Sequence, residues 1–216
     1  MLLITSYGNI MRYLELKEQL NKFIIFSLAD IRKLESDFDR RRLSEWQDKG
    51  YIKKVRRGYY IFSDLELTEE VLFLIANRLY SPSYVSLEMA LNYYGLIPEG
   101  VYSITSISTK KTKTFDTPLA AFSYRNVKPE IFFGYSLAKV GNHNYKIAEI
   151  EKAVLDYFYL NPIMSDEKNF IEWRFNFDEF KSKADMQKFL SFLNNFNSPS
   201  LTNRVQKFIK YGEDRC

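Results

Sequence analysis

The sequence predicts an α+β protein with a small N-terminal part and a larger mixed part that ends in helices. Residues 1–64 show helical patterns followed by two short strand patterns. Between residues 101 and 148 the apolar residues alternate with polar ones, which is typical of strands, and turn residues separate the runs. From residue 149 the helical spacing returns. These changes of period predict a small, mainly antiparallel sheet between helical segments.

The N-terminal part is predicted to begin with a helix over residues 9–20. Ile10, Tyr13, Leu14 and Leu20 supply its apolar side. The run at residues 23–26 predicts a short strand that pairs with the strands further along.

Two short helices follow. The first is predicted over residues 28–35, with Ser27 as its N-cap. Asp37 is expected to cap a second helix that continues to Lys49. Gly50 ends this helix, because the residue at that position often needs a positive φ.

Residues 51–55 and 59–62 predict two strands joined by a turn at Arg56, Arg57 and Gly58. Helix, tight turn, helix and β-ribbon is the order of a winged helix-turn-helix. Proteins of this class insert the second helix into the major groove of DNA. The sequence therefore predicts a DNA-binding domain over residues 1–64.

The distribution of charge supports this prediction. Eight basic and three acidic residues lie between Asp39 and Arg57, a net charge of 8 − 3 = +5, whereas the whole chain carries only +4. The rest of the chain therefore sums to 4 − 5 = −1. Positive charge concentrated on one motif is what phosphate binding requires.

The second helix buries Leu43 and Trp46, so its opposite side is available for contacts. Arginine pairs bidentately with guanine, so Arg40 and Arg41 are the predicted base-reading residues and Ser44 is secondary. Further DNA contacts are predicted in the ribbon and at its tip, at Lys53, Lys54, Arg56 and Arg57. The alternative is that the arginines are only a solvated helix start, or that the winged domain binds only protein.

The second part is predicted over residues 84–216, with residues 65–83 as connector helix and linker. Ser86 is expected to cap a helix that Gly95 ends. Strands are predicted at 101–107, 112–115, 121–124, 131–135 and 145–148, and helices at 149–160, 166–173, 185–196 and 199–211.

No catalytic, metal or cofactor site is predicted. One histidine, His143, and one cysteine, Cys216, cannot form a His/Cys zinc site within one chain. Phosphate-binding loops of the GxxxxGK[ST] and GxGxxG types are absent. Glu149, Glu151 and Asp156 are interpreted as acids on a solvated helix surface. The chain is therefore expected not to be an enzyme.

A second group of basic residues consists of Lys110, Lys111, Lys113, Arg125 and Lys128. It lies between and after predicted strands. A solvated hairpin loop is the simpler interpretation. A second contact to nucleic acid or protein is the functional alternative.

The strings VSLEMALNYYGLIPE, YSITSISTKKTKTFDT, FSYRNVKPEIFFGY and IAEIEKAVLDYFYL resemble the AbiEi family, the antitoxins of bacterial type IV toxin–antitoxin systems. The RRGYY ribbon and the order of the domains are also similar. The resemblance covers about residues 26–160 and, more loosely, the rest of the chain.

The resemblance implies an autorepressor that binds double-stranded promoter repeats through Arg40, Arg41, Ser44, Arg56 and Arg57. It further implies a C-terminal antitoxin domain that counteracts a nucleotidyltransferase-like toxin, without requiring direct contact with the toxin. A stand-alone winged-helix regulator, or a protein-interaction module without a toxin partner, is the alternative. The oligomeric state is left open.

The expected location is the cytoplasm. The N-terminus has no basic start followed by a long apolar run, so it does not read as a secretory signal. No apolar run is long enough to predict a membrane span. A single cysteine allows no internal disulfide, which fits a reducing compartment.

Overall fold

A computed structural model describes residues 12–98 and 100–214. It shows an α+β protein with two sheets. The chain divides into two compact units whose boundary falls between Val71 and Leu72, and the short segment Thr117–Leu119 groups with the first unit. The predicted start of the first helix at residues 9–11, and Cys216, lie outside the described residues.

In the first unit, helix α1 covers residues 12–20 of the described chain. The elements that follow are β1 (Phe26–Ser27), α2 (Leu28–Arg32), α3 (Arg41–Asp48), β2 (Ile52–Arg56) and β3 (Tyr59–Phe62). The three strands form an antiparallel sheet in the order β1-β3-β2. The predicted pairing of the stretch before Ser27 with the ribbon is confirmed, although β1 is only two residues long.

The core of this unit is aromatic. Trp46 of α3 meets Tyr13 of α1 edge to face at 5.1 Å and Phe38 at 5.4 Å. Tyr13 also stacks on Tyr51 at 4.4 Å. Aromatic pairs in these arrangements add to the stabilisation that burial provides. The side of α3 that carries Leu43 and Trp46 is therefore held against the core, as its sequence predicts.

Helix α3 begins later than predicted. The prediction placed its cap at Asp37, but the helix starts at Arg41 and Arg40 occupies the N-cap position without a side-chain cap. The Asp39 carboxylate instead accepts the backbone N–H of Arg41 at 2.9 Å. Phe38, just ahead of the helix, is buried at 2 % exposure and packs against Trp46. Two other predictions here are confirmed: Ser27 caps α2 through a capping box, and Gly50 has φ +71° just after α3.

Helix α4 (Glu69–Leu79) crosses the boundary between the units. The second unit continues with β4 (Ser83–Val85), α5 (Leu87–Tyr93), β5 (Ser103–Ser108), β6 (Lys113–Asp116), β7 (Ala121–Asn126), a 3-10 turn (Pro129–Ile131), β8 (Tyr135–Val140) and β9 (His143–Ala148). Helices α6 (Ile150–Leu160), α7 (Glu167–Trp173), α8 (Phe177–Lys183), α9 (Met186–Asn195) and α10 (Pro199–Glu213) complete it.

The six strands form one mixed sheet in the order β6-β7-β5-β4-β9-β8. Three pairings are antiparallel, but β5 with β7 and β4 with β9 are parallel. The expectation of a mainly antiparallel sheet thus missed these two parallel pairings. Strand β7 lies between β5 and β6, although β6 precedes it in the chain. The order of the strands depends on which side chains the layers bury. The alternation of apolar and polar residues along each strand does not predict this order.

Two element predictions in this unit are wrong. Residues 131–135 were predicted as a strand, but Ile131 ends the 3-10 turn and β8 begins only at Tyr135. Ser83 was predicted to end the linker over residues 65–83, but it begins β4, where it pairs with Ser108. The break at Pro82 is real and lies immediately before the strand.

Helices cover the two faces of this sheet. The Tyr124 hydroxyl donates to the Ala76 carbonyl of α4 at 2.8 Å on one face. On the other face the Tyr84 hydroxyl donates to the Asp156 carboxylate of α6 at 2.9 Å. The buried side chains of both faces form the core of the unit.

Candidate nucleic-acid interface

The predicted DNA-contacting residues lie on α3 and on the β2–β3 ribbon of the first unit. Arg40, Arg41 and Ser44 are exposed at the start of α3. Lys53, Lys54 and Arg57 are exposed on the ribbon, and Arg56 is half-buried at the end of β2. Five of the exposed residues are therefore basic, and none of those five forms an ion pair with another described residue.

The β2–β3 ribbon contains an irregularity just after its two exposed lysines, Lys53 and Lys54. The register of β2 against β3 shifts between Lys54 and Arg56, so that Val55 has no partner in the ladder. Side chains of a regular strand alternate between its faces. Here Val55 is buried after two exposed positions. The bulge follows Lys54, so Lys53 and Lys54 occupy consecutive regular positions of the ladder and project to opposite faces of the ribbon.

Arg42, the third arginine of the run, has a different role. Its Nη1 atom donates to the Glu35 carboxylate at 2.6 Å, and its guanidinium stacks on Phe38 at 4.4 Å and on Trp46 at 5.2 Å. Only 15 % of its side chain is exposed. Arg42 therefore ties α3 to the segment before it, whereas Arg40 and Arg41 remain available to solvent.

The electrostatics of α3 favour an external anion at its start. The first turn holds no acidic residue, and the last turn no basic one. This arrangement opposes the helix dipole, which favours negative charge at the N-terminus. Glu45 and Asp48 are exposed further along the helix. Arg40 and Arg41 thus concentrate positive charge at the start of α3, and Glu45 and Asp48 offset it further along the helix.

The position of the ribbon depends on α1. The Lys17 ammonium bonds the Asp64 carboxylate, just after β3, at 2.5 Å, and this hydrogen bond lowers the pKa of Asp64. The Tyr13 hydroxyl donates to the Tyr51 carbonyl at 3.3 Å. Burial, and then the nearby Asp64 carboxylate, raises the pKa of Tyr13 to about 12. These bonds hold both ends of the ribbon against α1.

The second basic group lies at one end of the six-stranded sheet. Asn126 fixes the turn between β5 and β6, because its side-chain amide donates to the carbonyls of Thr109 at 3.1 Å and Lys110 at 2.8 Å. The ammonium of Lys110 lies 5.4 Å from the centre of the Tyr80 ring. Lys110, Lys111, Lys113 and Lys128 are all exposed.

Arg125 does not belong to the same surface as Lys113. Lys113 pairs with Tyr124, the neighbour of Arg125 along β7, so the side chains of Lys113 and Arg125 project to opposite faces of the sheet. Arg125 instead lines a cleft of about 540 Å³ whose other walls include the hydroxyl-bearing residues Ser103, Thr105 and Ser123. The five basic residues predicted as one group are thus divided between two surfaces.

The sequence interpretation of the acids on α6 is wrong. Asp156 and Glu151 are buried at 0 % and 3 % exposure, and Glu149 is half-buried. Asp156 forms a buried ion pair with Lys152 and accepts hydrogen bonds of 2.9 Å from Tyr84 and Ser86. Ser86, predicted as a helix cap, thus occupies the N-cap position of α5 but gives its hydroxyl to Asp156.

Burial governs the ionisation of this cluster. It lowers the pKa of Lys152, against the pull of Asp156, and raises the pKa of Asp156, against Lys152 and the two hydroxyls. The Lys152 ammonium also lies within 5 Å of the ring centres of Phe133 and Phe196. The sequence could have predicted this ion pair. Lys152 and Asp156 are four residues apart within the apolar string EKAVLDYF, and oppositely charged residues on a buried helix face must pair with each other.

His143 begins β9, opposite Val140, and is half-buried. The strand predicted at residues 145–148 thus begins two residues earlier, and the turn before it consists of Gly141 and Asn142.

Comparison with known proteins assigns this chain to no family. No protein-family model matches it, and no curated protein matches it in sequence. Within residues 12–98 and 100–214, no helix combines the length and the apolar character needed to cross a membrane.

Proposed function

We propose that the first unit is a winged helix-turn-helix that binds double-stranded DNA, with α3 as the recognition helix and the β2–β3 ribbon as the wing. The proposal rests on one observation, the different environments of the three consecutive arginines. Arg42 is held in the protein by Glu35, Phe38 and Trp46, whereas Arg40 and Arg41 are exposed at the N-terminal end of α3. Recognition helices contact base edges with residues from this end.

The proposal assigns different tasks to the exposed residues. Arg40 and Arg41 read guanine through bidentate hydrogen bonds, and Ser44 makes a weaker base contact one turn later. Lys53, Lys54 and Arg57 neutralise phosphates along the wing, with Arg56 beside them. Glu45 and Asp48 keep the C-terminal half of α3 out of the groove, because their carboxylates repel phosphate.

The resemblance to AbiEi antitoxins extends the proposal to a repressor of its own promoter and to an antitoxin. In this proposal the C-terminal part counteracts a nucleotidyltransferase-like toxin and performs no catalysis itself. This part of the proposal rests on the resemblance alone. Its test is co-expression with an adjacent toxin gene in a growth assay: rescue of growth by the full chain supports it, and absence of rescue contradicts it.

The alternative is a stand-alone regulator or a protein-interaction module. Winged domains that bind only protein also present basic wings. A module of that kind would show little affinity for DNA at physiological salt, and any affinity would not depend on sequence.

Fluorescence anisotropy distinguishes these functions. The full chain is titrated against its own upstream DNA and against a scrambled duplex of equal length over a range of salt concentrations. Sequence-selective binding is expected, and log K should fall against log salt with a slope of about −0.9 for each phosphate neutralised. Equal, weak binding to both duplexes at physiological salt would contradict DNA recognition.

A further inference from the structure

Strand β8 is an open edge of the six-stranded sheet. It lies last in the strand order and pairs, among the described residues, with β9 alone. It is six residues long, and Leu137 at its middle is 64 % exposed. An edge strand of this length with an exposed apolar side chain is a template for pairing with another strand.

The hairpin geometry shows which backbone groups of β8 are available. Val140 faces His143 across a two-residue loop, and Gly141 has φ +56°, as the first loop residue of a type II′ turn requires. The carbonyl of Val140 and the N–H of His143 therefore close the turn. Inward and outward bonding alternate along an antiparallel strand. Ser136, Ala138 and Val140 thus bond to β9, while Tyr135, Leu137 and Lys139 present N–H and C=O groups at the outer edge.

We propose that β8 is a homodimer interface, in which two copies of the chain pair their β8 strands antiparallel around Leu137. Only outward-facing residues can be hydrogen-bonded partners in such a ladder. The symmetric register that satisfies this condition places Leu137 opposite the second copy's Leu137, and Tyr135 opposite the second copy's Lys139. It forms roughly six backbone hydrogen bonds and joins the two sheets into one.

The side chains suit this register. The two Leu137 side chains are direct cross-strand neighbours on one face, so each covers the apolar surface that the other exposes. Lys139 is the only charged residue of β8. Charged residues on an edge normally discourage pairing, but here each Lys139 faces a tyrosine of the other copy rather than a lysine.

The opposite edge of the sheet is less suited. Strand β6 has only four residues, begins with Lys113, ends with Asp116 and follows the turn that carries Lys110 and Lys111. Short, charged edge strands resist pairing. The second copy is therefore assigned to β8.

The proposal is tested by sedimentation of the full chain from low to high micromolar concentration. The wild type is expected to show a reversible monomer–dimer equilibrium of the weak class that a small interface supports. Leu137→Lys places two ammonium groups directly opposite each other and should weaken dimerisation about tenfold or more. Leu190→Lys, at a comparably exposed leucine of α9, is the matched control and should dimerise like the wild type.

Two further measurements make the test specific to the register. An equimolar mixture of Leu137→Lys and Leu137→Glu should recover dimers, because opposite charges then face each other. In the wild type, the amide protons of Leu137 and Lys139 should exchange more slowly at high than at low protein concentration, whereas those of Ser136 and Ala138 should not change. A wild type that remains monomeric throughout, or a dimer that Leu137→Lys leaves intact, would overturn the proposal. Neither measurement involves DNA, so the outcome is independent of the proposed DNA binding.

Discussion

Two neighbouring arginines of α3, Arg41 and Arg42, offer a sharp test of the proposed function. Arg41 is exposed, while Arg42 is bonded to Glu35 and stacked on two rings. We expect Arg41→Ala to weaken binding to the cognate DNA without loss of stability. We expect Arg42→Ala to lower the free energy of unfolding.

The structure sets the expected magnitudes. The hydrogen bond from Arg42 to Glu35 is charge-assisted, and such bonds contribute about 1.5–3 kcal/mol. Stacking of the guanidinium on aromatic rings adds about 0.5–1 kcal/mol. Because Glu35 is 37 % exposed, water screens part of this interaction, and about 2 kcal/mol is the expected loss on Arg42→Ala. Arg41→Ala should change the stability by less than about 0.5 kcal/mol.

For DNA affinity the order of the two variants should be reversed, with the larger loss in Arg41→Ala. Loss of one bidentate contact to guanine costs about 1–3 kcal/mol of discrimination, or roughly 5- to 150-fold in affinity for the cognate duplex. Binding of Arg41→Ala to the scrambled duplex should fall much less. Arg42→Ala, measured where it is fully folded, should keep the wild-type ratio of the two affinities.

The assays are urea unfolding followed by circular dichroism, and anisotropy at fixed salt on both duplexes. Equal losses on both duplexes for Arg41→Ala would remove Arg41 as a base reader. A loss of stability in Arg41→Ala as large as that in Arg42→Ala would contradict the separation of the two roles.

Three further predictions concern the wing, the buried cluster and α1. Arg57→Ala should weaken binding to both duplexes evenly and make the salt slope shallower by about 0.9, so a selective loss in anisotropy would contradict phosphate contact. Asp156→Asn should lower the free energy of unfolding in urea by about 3–5 kcal/mol, because it leaves Lys152 buried without its carboxylate. The double variant Lys152→Met with Asp156→Leu should recover most of this stability. Equal losses of stability in the single and the double variant would contradict a cost that comes from an unpaired buried charge. The pKa of Asp64 is lower in the folded protein, so its contribution is present above the unfolded value near 3.8 and is lost as the pH falls through the folded value. Asp64→Asn should therefore destabilise the protein by about 0.5 kcal/mol at neutral pH and not at all in strong acid, and an equal effect at both would exclude the Lys17 bond as its cause.

The local elements of the first unit could be predicted because short-range chemistry specifies them. Ser27 and Asp30 form a capping box within one turn, and Gly50 ends α3 through its own backbone conformation. The start of α3 was missed by three residues because the burial of Phe38, a tertiary contact, keeps the chain before Arg40 out of the helix.

The residues of the candidate interface were proposed from the sequence, and their contact with DNA stays a prediction. The helical spacing assigned Arg40 and Arg41, but not Arg42, to contacts with bases. The structure adds what Arg42 does instead, because Glu35, Phe38 and Trp46 hold its guanidinium within the first unit. In the same way, Lys113 and Arg125 are close along the sheet, yet the pleat sends them to opposite faces.

The sequence by itself determined the α+β class, the position of most helices and the concentration of positive charge between residues 39 and 57, because periodicity, capping and composition are properties of neighbours along the chain. The tertiary structure alone decided the order of the six strands, the burial of Asp156 with Lys152 and the exposure of β8 as an edge. These features depend on contacts between residues up to about seventy positions apart, such as Tyr84 with Asp156. Each of these three features depends on which surfaces the packed layers remove from water, and a local sequence pattern does not predict this.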